Sequence, residues 1–395
     1  MMRLSILGVL LPALVLAACA TDRQTPTEAS ENGRRAPSAV ASLTAPVDGS
    51  DAGYARADEV VELSFPMDHG PHPDFQTEWW YLTANLETTD GRRYGLQWTI
   101  FRRALRPSQP FRDSSWATRQ VYLGHFAITD VERGRQHSFE RLARGAVGLA
   151  GSELEAGGPL RVWLEDWSLT SSEKGTASFP WTLRANGLGD SGGEPTISAE
   201  IDVRPSKPLV LQGDRGLSRK NSMAGGASYY YSFTRLAARG VLRIGDRHES
   251  VTGTAWLDRE WSTSVLAPDQ TGWDWFSLQL DDGRDLMVYR LRLEGGGIDQ
   301  ASSGALVGPS GEKTPLAVDD FTLGVLERWT SPKGTTYPIA WRLQLPKQGL
   351  DLEIRAVVAD QELDVAFRYW EGAVDVTGIG SESGRGYVEL VGYGD

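Results

Sequence analysis

Apolar and polar residues alternate along this chain in short runs that are typical of antiparallel β-strands. The clearest runs are residues 79–86 and 94–101, which are separated by a polar segment containing Asp90-Gly91. A strand, an Asp-Gly turn and a second strand in this order predict a β-hairpin. Residues 275–292 repeat the order, with an aromatic pair, a strand, Asp-Gly-Arg and another strand, so they predict a second hairpin.

Further segments recur in the same order in the two halves of the chain. Aromatic residues or glycines match between 164–168 and 326–330, 179–183 and 337–343, 229–244 and 369–376, and 253–256 and 386–389. Matched blocks in one order indicate two copies of a single β-rich unit. No long stretch shows helical periodicity. The sequence therefore predicts an all-β fold of two tandem antiparallel β-barrels that arose from an internal duplication.

The expected domain boundaries follow from this duplication and from the composition of the N-terminal segment. Residues 61–250 are expected to form the first barrel and residues 251–395 the second. The strand predicted at 254–261 fits either barrel, so the join lies between about residues 245 and 272. Residues 19–60 are rich in Ser, Thr, Pro, Ala and Gly and poor in large apolar residues, which predicts a disordered tether.

Residues 1–18 are interpreted as a signal peptide, because an apolar run ends in Leu16-Ala17-Ala18 directly before Cys19. The pattern resembles a bacterial lipoprotein signal, in which the cysteine becomes the lipidated N-terminus. Cys19 is the only cysteine of the chain, so it has no partner for an internal disulfide. The alternative is an ordinary signal peptide with an incidental cysteine. We expect a lipid-anchored envelope protein, on the outer membrane and facing the periplasm.

Charge and motif content exclude several classes of function. The formal net charge of -12 opposes binding to phosphate backbones, so nucleic acid is not an expected partner. No glycine-rich phosphate loop and no G-x-S-x-G elbow is present, and no cofactor is expected. His69 and His72 lie three residues apart without a third spaced ligand, which does not favour a metal site.

Several longer motifs combine histidine, acidic residues and tryptophan. They are His69-Gly70-Pro71-His72, Glu78-Trp79-Trp80-Tyr81, Asp258-Arg259-Glu260-Trp261, Gly272-Trp273-Asp274-Trp275-Phe276 and Tyr369-Trp370-Glu371-Gly372. These motifs resemble the AttH/hydroxyneurosporene synthase family of lipocalin-like proteins, which includes carotenoid 1,2-hydratases. The resemblance covers about residues 65–393 and implies two consecutive lipocalin-like barrels. It leaves the activity open, because the family contains both hydratases and members with no established reaction.

Carboxylates beside tryptophans could supply the chemistry of alkene hydration. A buried carboxylic acid keeps its proton at neutral pH, and aromatic faces stabilise a cation. Strand alternation places Trp256, Asp258 and Glu260 on one face. The candidate catalytic acids are Glu260 and Asp258, followed by Asp274. The candidate ligand-binding residues are Glu78, Trp79, Trp80, Tyr81, Trp256, Trp261, Trp273, Trp275 and Tyr289.

Two observations favour a structural role for the same acids. Nearby arginines could pair with them, namely Arg102, Arg259, Arg290 and Arg292. In hydratase members an acid follows a tyrosine on a strand of the second half, and the best match here, Tyr289-Arg290-Leu291, has none. We therefore expect a protein that binds a hydrophobic isoprenoid or lipid. A hydratase acting on an isoprenoid C=C bond and a periplasmic accessory component of a membrane transporter are the alternatives.

Replacing Cys19 with serine tests the expected anchor. Cys19→Ser protein should stay unprocessed or leave the membrane fraction, because serine lacks the thiol to which the lipid is attached. The parent protein, isolated from membranes and measured by mass spectrometry, is the control. An unmodified and internal Cys19 in that sample would contradict the assignment.

Overall fold

The structure is a computed structural model that describes residues 52–108, 113–171, 179–189, 195–263, 266–380 and 382–394. The expected signal peptide, most of the expected tether and Cys19 lie outside the described residues. Residues 52–60, which the composition assigns to the tether, instead pack on the first sheet. Ala57 is buried there, and the Tyr54 hydroxyl donates a hydrogen bond to the Ala104 carbonyl at 2.9 Å. No described helix is long and apolar enough to cross a membrane.

The first antiparallel sheet is formed by the chain between residues 77 and 262. Its strands are β1 (Thr77–Thr88), β2 (Arg93–Ala104), β3 (Gln120–Asp130), β4 (Arg135–Arg144), β5 (Ala150–Glu153), β6 (Arg161–Leu164), β7 (Trp167–Ser171), β8 (Trp181–Gly187), β9 (Ile197–Pro205), β10 (Val210–Leu211), β11 (Leu217–Arg219), β12 (Ala227–Ile244) and β13 (Arg247–Ser262). Their order in the sheet is β4-β3-β2-β1-β13-β12-β9-β8-β7-β6-β5, and β10 and β11 pair with β12. This sheet curves into a near-closed barrel.

The second antiparallel sheet follows in the chain and forms a half-barrel. Its strands are β14 (Gln270–Leu280), β15 (Asp285–Leu293), β16 (Ser303–Val307), β17 (Lys313–Ala317), β18 (Thr322–Thr330), β19 (Thr336–Leu345), β20 (Leu350–Ala356), β21 (Glu362–Leu363), β22 (Tyr369–Gly378) and β23 (Ser383–Leu390). Their order is β17-β16-β15-β14-β23-β22-β20-β19-β18, with β21 beside β22. The described 3-10 helices are Met67–His69, Val318–Asp320 and Pro346–Gln348.

The duplication predicted from the sequence is visible in the order of the strands. β1 lies between β2 and β13 in the first sheet, as β14 lies between β15 and β23 in the second. The recurring sequence blocks fall on strands that correspond in this order, β8 with β19, β12 with β22, and β13 with β23. The prediction of an all-β fold built from two related antiparallel units is therefore confirmed, although the second unit is an open half-barrel.

The strand that the sequence could not assign belongs to the first sheet. It lies within β13, which pairs with β1 on one side and β12 on the other. The chain changes sheet between Ser262 and Gln270, which is later than the boundary at residue 250 suggested by the duplicated blocks. The difference in position arises in the hairpin β12–β13, because its strands are longer than their counterparts in the second sheet.

Both predicted hairpins form around a glycine that the turn requires. Gly91 joins β1 to β2 and has φ of +85°, and Gly283 joins β14 to β15 and has φ of +89°. Residues with a Cβ rarely adopt this left-handed conformation, so the Asp-Gly pairs fix where each strand reverses.

The two faces of the first sheet have different partners. Large apolar side chains fill the inside of the barrel, among them Trp80, Trp98, Trp167 and Trp181, so this interior is a packed core. The outer face of β1, β12 and β13 packs against the second sheet in a cluster of Tyr81, Tyr230, Trp256, Trp275, Met287, Tyr289 and Leu291. The sheets approach each other closely at Gly95. A Cβ added at this residue would lie only 2.5 Å from the Tyr387 hydroxyl.

Candidate functional site

A cavity of about 120 Å³ lies between the docked faces of the two sheets. Seven of the residues proposed from the sequence line it: Trp79, Tyr81, Asp258, Glu260, Trp273, Trp275 and Tyr289. They come from β1, β13, β14 and β15, which are neighbours within each sheet. Because side chains alternate along a strand, every second residue of these strands points into the space between the sheets.

The Asp258 carboxyl is buried in the wall of this cavity and accepts hydrogen bonds from neutral groups. The donors are the Tyr230 hydroxyl at 2.7 Å, the Ser232 hydroxyl at 2.5 Å and the Trp256 indole N–H at 2.7 Å. Burial raises the pKa of Asp258 to about 7, and these hydrogen bonds only partly oppose the effect. Asp258 therefore exchanges its proton near neutral pH.

Glu260 lies on the same face of β13 but is paired with a cation. Lys220 Nζ is 3.1 Å from the Glu260 carboxylate, and the Ser228 hydroxyl donates a hydrogen bond to the same oxygen. The ammonium group also lies 4.4 Å from the ring centroid of Tyr289 and 5.1 Å from that of Tyr230. Burial alone would lower the pKa of Lys220. The nearby Glu260 carboxylate outweighs this effect and raises the pKa, so the lysine stays charged.

The second sheet contributes a further carboxyl that sequence reasoning missed. Glu389 lines the cavity and accepts a hydrogen bond from the Trp273 indole N–H at 2.9 Å. Burial raises its pKa to about 7, and the neighbouring carboxylates Asp258 and Glu260 add to the effect. A signal was present, because the repeated blocks align Glu389 with Trp256, which is already a candidate.

A second buried glutamate, Glu371, lies next to the Glu389 carboxyl. Glu371 of β22 is directly across from Glu389 of β23. Burial and the nearby Glu389 raise the pKa of Glu371 well above its ordinary value. The hydroxyls of Tyr81 and Tyr369 lie beside the Glu371 carboxyl without forming hydrogen bonds of regular geometry. The carboxyl thus adds negative potential behind the cavity wall when it ionises.

Other cavity residues also lay outside the sequence-based set. They are Thr77, Phe101, Arg103, Lys220, Tyr230, Leu266, Leu291, Phe367 and Val391. Most come from the partner strands of each hairpin or from loops, whose position in space no local pattern reveals.

Glu78 was a ligand-binding candidate, but the structure gives it a different environment. It is fully buried and pairs with the guanidinium groups of Arg102 and Arg259. Burial alone would raise the pKa of Glu78, but these two cations hold that pKa well below its ordinary value. Glu78 is therefore a permanently ionised structural anchor at the start of β1.

Trp80 and Trp261 face the same structural ion pair and do not line the cavity. The Arg259 guanidinium lies 3.8 Å from the ring centroid of Trp80 and 5.3 Å from that of Trp261. The segments around Glu78 and Asp258 lie on neighbouring strands, and Trp80 is directly opposite Arg259 in the β1–β13 register.

Asp274 also lies outside the cavity. It faces the core of the second sheet, where Arg290 lies at 2.6 Å, Arg292 at 3.3 Å, and the Tyr393 hydroxyl donates a hydrogen bond at 2.9 Å. An aspartate held by two arginines is suited to fixing the β14–β15 hairpin. The structure therefore offers no support for Asp274 as a catalytic acid.

The two histidines of the first motif have separate structural partners. His69 Nδ1 lies 2.6 Å from the Tyr231 hydroxyl, and the ring of His72 stacks on Trp261 at 3.7 Å. Among the described residues, no group of three or more His, Cys, Asp or Glu side chains is arranged to hold a metal ion.

A family model described as AttH-like matches residues 56–393 of the chain. The protein belongs to the AttH-like family. A crystal structure of a candidate AttH from Nitrosomonas europaea is 34% identical over 86% of this chain and 99% of that one, with a TM-score of 0.73. No curated protein matches the chain.

Two more distant structures have the same fold. Kievitone hydratase from Nectria haematococca is 16% identical, covers 86% of this chain and 95% of its own, and gives a TM-score of 0.60. CghA in complex with Sch210972 is 14% identical, covers 86% and 96%, and gives a TM-score of 0.52. At these identities the likeness shows only the fold. The activity of this AttH-like protein must be inferred from its own residues.

The variant Asp258→Asn should change how stability depends on pH. Folded Asp258 has a pKa of about 7, whereas an unfolded aspartate ionises near pH 4. The unfolded state therefore releases this proton first, and the group costs the parent roughly a few kcal/mol as pH rises from about 4 to 7. Asp258→Asn should gain stability relative to the parent over this range, measured by urea unfolding at each pH.

The exposed residue Asp319 gives a matched control for the loss of one carboxyl. Asp319→Asn should follow the parent at every pH. A difference between Asp258→Asn and the parent that stays constant from pH 4 to 7 would contradict the raised pKa.

Proposed function

We propose that this AttH-like protein binds a hydrophobic ligand, an isoprenoid or a lipid, in the cavity between the two sheets. The observation that carries the proposal is the lining, in which Trp79, Trp273 and Trp275 surround a few convergent polar groups. Ligand sites in proteins commonly combine such apolar walls with a small number of placed polar groups. Among the described residues, large apolar side chains fill the barrel interior.

The volume of the cavity suggests how much of a ligand it holds. About 120 Å³ corresponds to roughly four water molecules at their liquid volume, slightly less than a cavity that holds one benzene ring. A short ligand, or the end group of a longer isoprenoid or acyl chain, fits this size. The proposed lipid at Cys19 would keep the protein on the envelope membrane, where such molecules concentrate.

Ligand binding can be tested by extraction and by one substitution. Organic extraction of the purified protein, followed by mass spectrometry, should release a hydrophobic molecule. Trp79→Ala should lose that molecule or bind it roughly tenfold or more weakly, because an aromatic wall contributes about 1.5–3 kcal/mol of apolar contact. Trp116→Ala is the matched control, since Trp116 is 52% exposed and lies away from the cavity lining.

Both variants should be compared at equal thermal stability. An extract without any hydrophobic molecule, or equal loading of the two tryptophan variants, would count against the proposed function.

A second function, hydration of an isoprenoid C=C bond, is favoured by the surroundings of Asp258. Glu78 and Asp274 are each paired with arginines, whereas Asp258 has only neutral donors and a pKa of about 7. A carboxylic acid that keeps its proton in an apolar site can protonate an alkene. Asp258 thus provides an acid even though Tyr289-Arg290-Leu291 lacks the one expected from hydratases.

The proposed reaction begins with transfer of the Asp258 proton to one alkene carbon. The π electrons form the new C–H bond and leave a tertiary cation in the cavity, whose lining includes the aromatic rings of Tyr81 and Trp275. Water then adds its oxygen to the cation. The surplus proton returns to the Asp258 carboxylate, which restores the acid and yields the tertiary alcohol.

Hydration can be separated from stability with Asp258→Asn. This variant keeps the size of the side chain but removes its transferable proton, so hydration of farnesol should fall about 10²–10⁴-fold. Its melting temperature should stay at or above that of the parent. Asp274→Asn, which breaks an arginine pair, should instead lower stability and keep the rate per folded molecule. A parent without hydration activity, or an active Asp258→Asn, would exclude this function.

A further inference from the structure

The cavity contains more acidic groups than its cations neutralise. Asp258, Glu260 and Glu389 all line it, and Lys220 pairs with Glu260 at 3.1 Å. Arg103 is the other described cation in the lining. Within the described residues, the hydrogen-bond donors to the other two carboxyls, one from each sheet, are neutral.

The groups in hydrogen-bond contact with these two carboxyls are neutral, and the cation nearest to Asp258, Lys220, is shared with Glu260. Asp258 meets the neutral donors Tyr230, Ser232 and Trp256. Glu389 meets the Trp273 indole, and Glu371 opposite it on β22 adds further negative charge when ionised. A carboxylate in such surroundings is destabilised by burial unless a cation enters.

Aromatic rings enclose the same space on several sides. Tyr81 and Trp275 meet edge to face, with ring centroids 5.3 Å apart and an angle of 82°. Trp79 and Trp273 also line the cavity, whereas Trp256 packs against Trp275, with centroids 6.2 Å apart, without lining it. Perpendicular rings present their negative faces in different directions, which is how aromatic cages hold ammonium groups. Lys220, stacked on Tyr230 and Tyr289, already uses two such faces.

We propose that the ligand of this cavity carries a positive charge on an organic ammonium group with apolar substituents. The aromatic rings would enclose its substituents, and the Asp258 and Glu389 carboxylates would balance its charge. This inference deepens the proposed function, because it concerns the chemical class of the ligand at the same site.

The proposal predicts a dependence of affinity on pH. Glu389 has a pKa of about 7, so its ionised fraction increases about tenfold between pH 6 and pH 8. An ammonium ligand binds the ionised form and displaces the proton. Its affinity should therefore increase about tenfold over this range, and more if Asp258 ionises as well.

A pair of compounds of one shape separates charge from apolar contact. Benzyltrimethylammonium and neopentylbenzene differ only by N⁺ in place of carbon, and each can be titrated into the purified full-length protein. Tryptophan fluorescence should show the ammonium compound binding at least tenfold more tightly at pH 8, with a smaller difference at pH 6. Calorimetry in buffers of different ionisation enthalpy should show release of a proton on binding.

The substitution Glu389→Gln assigns the effect to its carboxyl. This variant should lose most of the preference for the ammonium compound while still binding neopentylbenzene, which also shows that the cavity is intact. Glu155→Gln, at an exposed position outside the cavity, is the matched control and should behave as the parent.

The possible results distinguish the inference from the function on which it rests. Equal or tighter binding of neopentylbenzene at pH 8, or an unchanged preference in Glu389→Gln, would overturn the ammonium ligand and leave hydrophobic binding intact. If neither compound binds, the inference and the proposed cavity function both fail.

Discussion

Burial of acidic side chains by the docking of two β-sheets is the constraint on which the site depends. Each sheet alone would leave its outward-facing carboxyls in water, and docking removes them from it. A buried carboxylate is costly unless a cation compensates it or it takes up a proton. On the docked face Lys220 stabilises Glu260, whereas the carboxylates of Glu78 and Asp274, which face the interior of each sheet, pair with arginines. Asp258 instead retains a proton, because burial raises its pKa to about 7. This proton is the one that the cavity can donate to a ligand.

Strand alternation places the structural ion pair and the cavity carboxyls on opposite faces of the first sheet, within a few residues of each other. In β13 the even-numbered positions Asp258 and Glu260 face the second sheet, whereas Arg259 points to the opposite face and lies over Trp80. One regular stretch therefore supplies both a structural cation and two cavity carboxyls. A shift of register by one residue would exchange these roles, so the uninterrupted pairing of β1 with β13 also protects the site.

Much of this arrangement could be predicted from periodicity, and the remainder depends on tertiary packing. The period of two residues identifies both hairpins and places Asp258 and Glu260 on one face. It cannot tell which faces of two sheets will meet, so Glu389 and Lys220 were missed, as was the location of the cavity outside the barrel. Asp274 illustrates the same limit, because it was a candidate acid but lies on the core face of the second sheet, where Arg290 and Arg292 pair with it. The chain changes sheet between Ser262 and Gln270, within the expected range of about 245–272, and the length of β13 has no counterpart in the second copy.

The two proposed uses of the cavity depend on one property, the free-energy balance between a protonated and an ionised carboxyl. A neutral alkene leaves Asp258 protonated, and the acid can then donate its proton. A cation in the same space favours ionisation, because it supplies the charge that burial removed. The tertiary cation of hydration and a stable ammonium ligand therefore make the same electrostatic demand on Asp258 and Glu389. A site that stabilises the transient cation should also bind the stable one, so tight binding of an ammonium compound would be expected of either a hydratase or a binding protein.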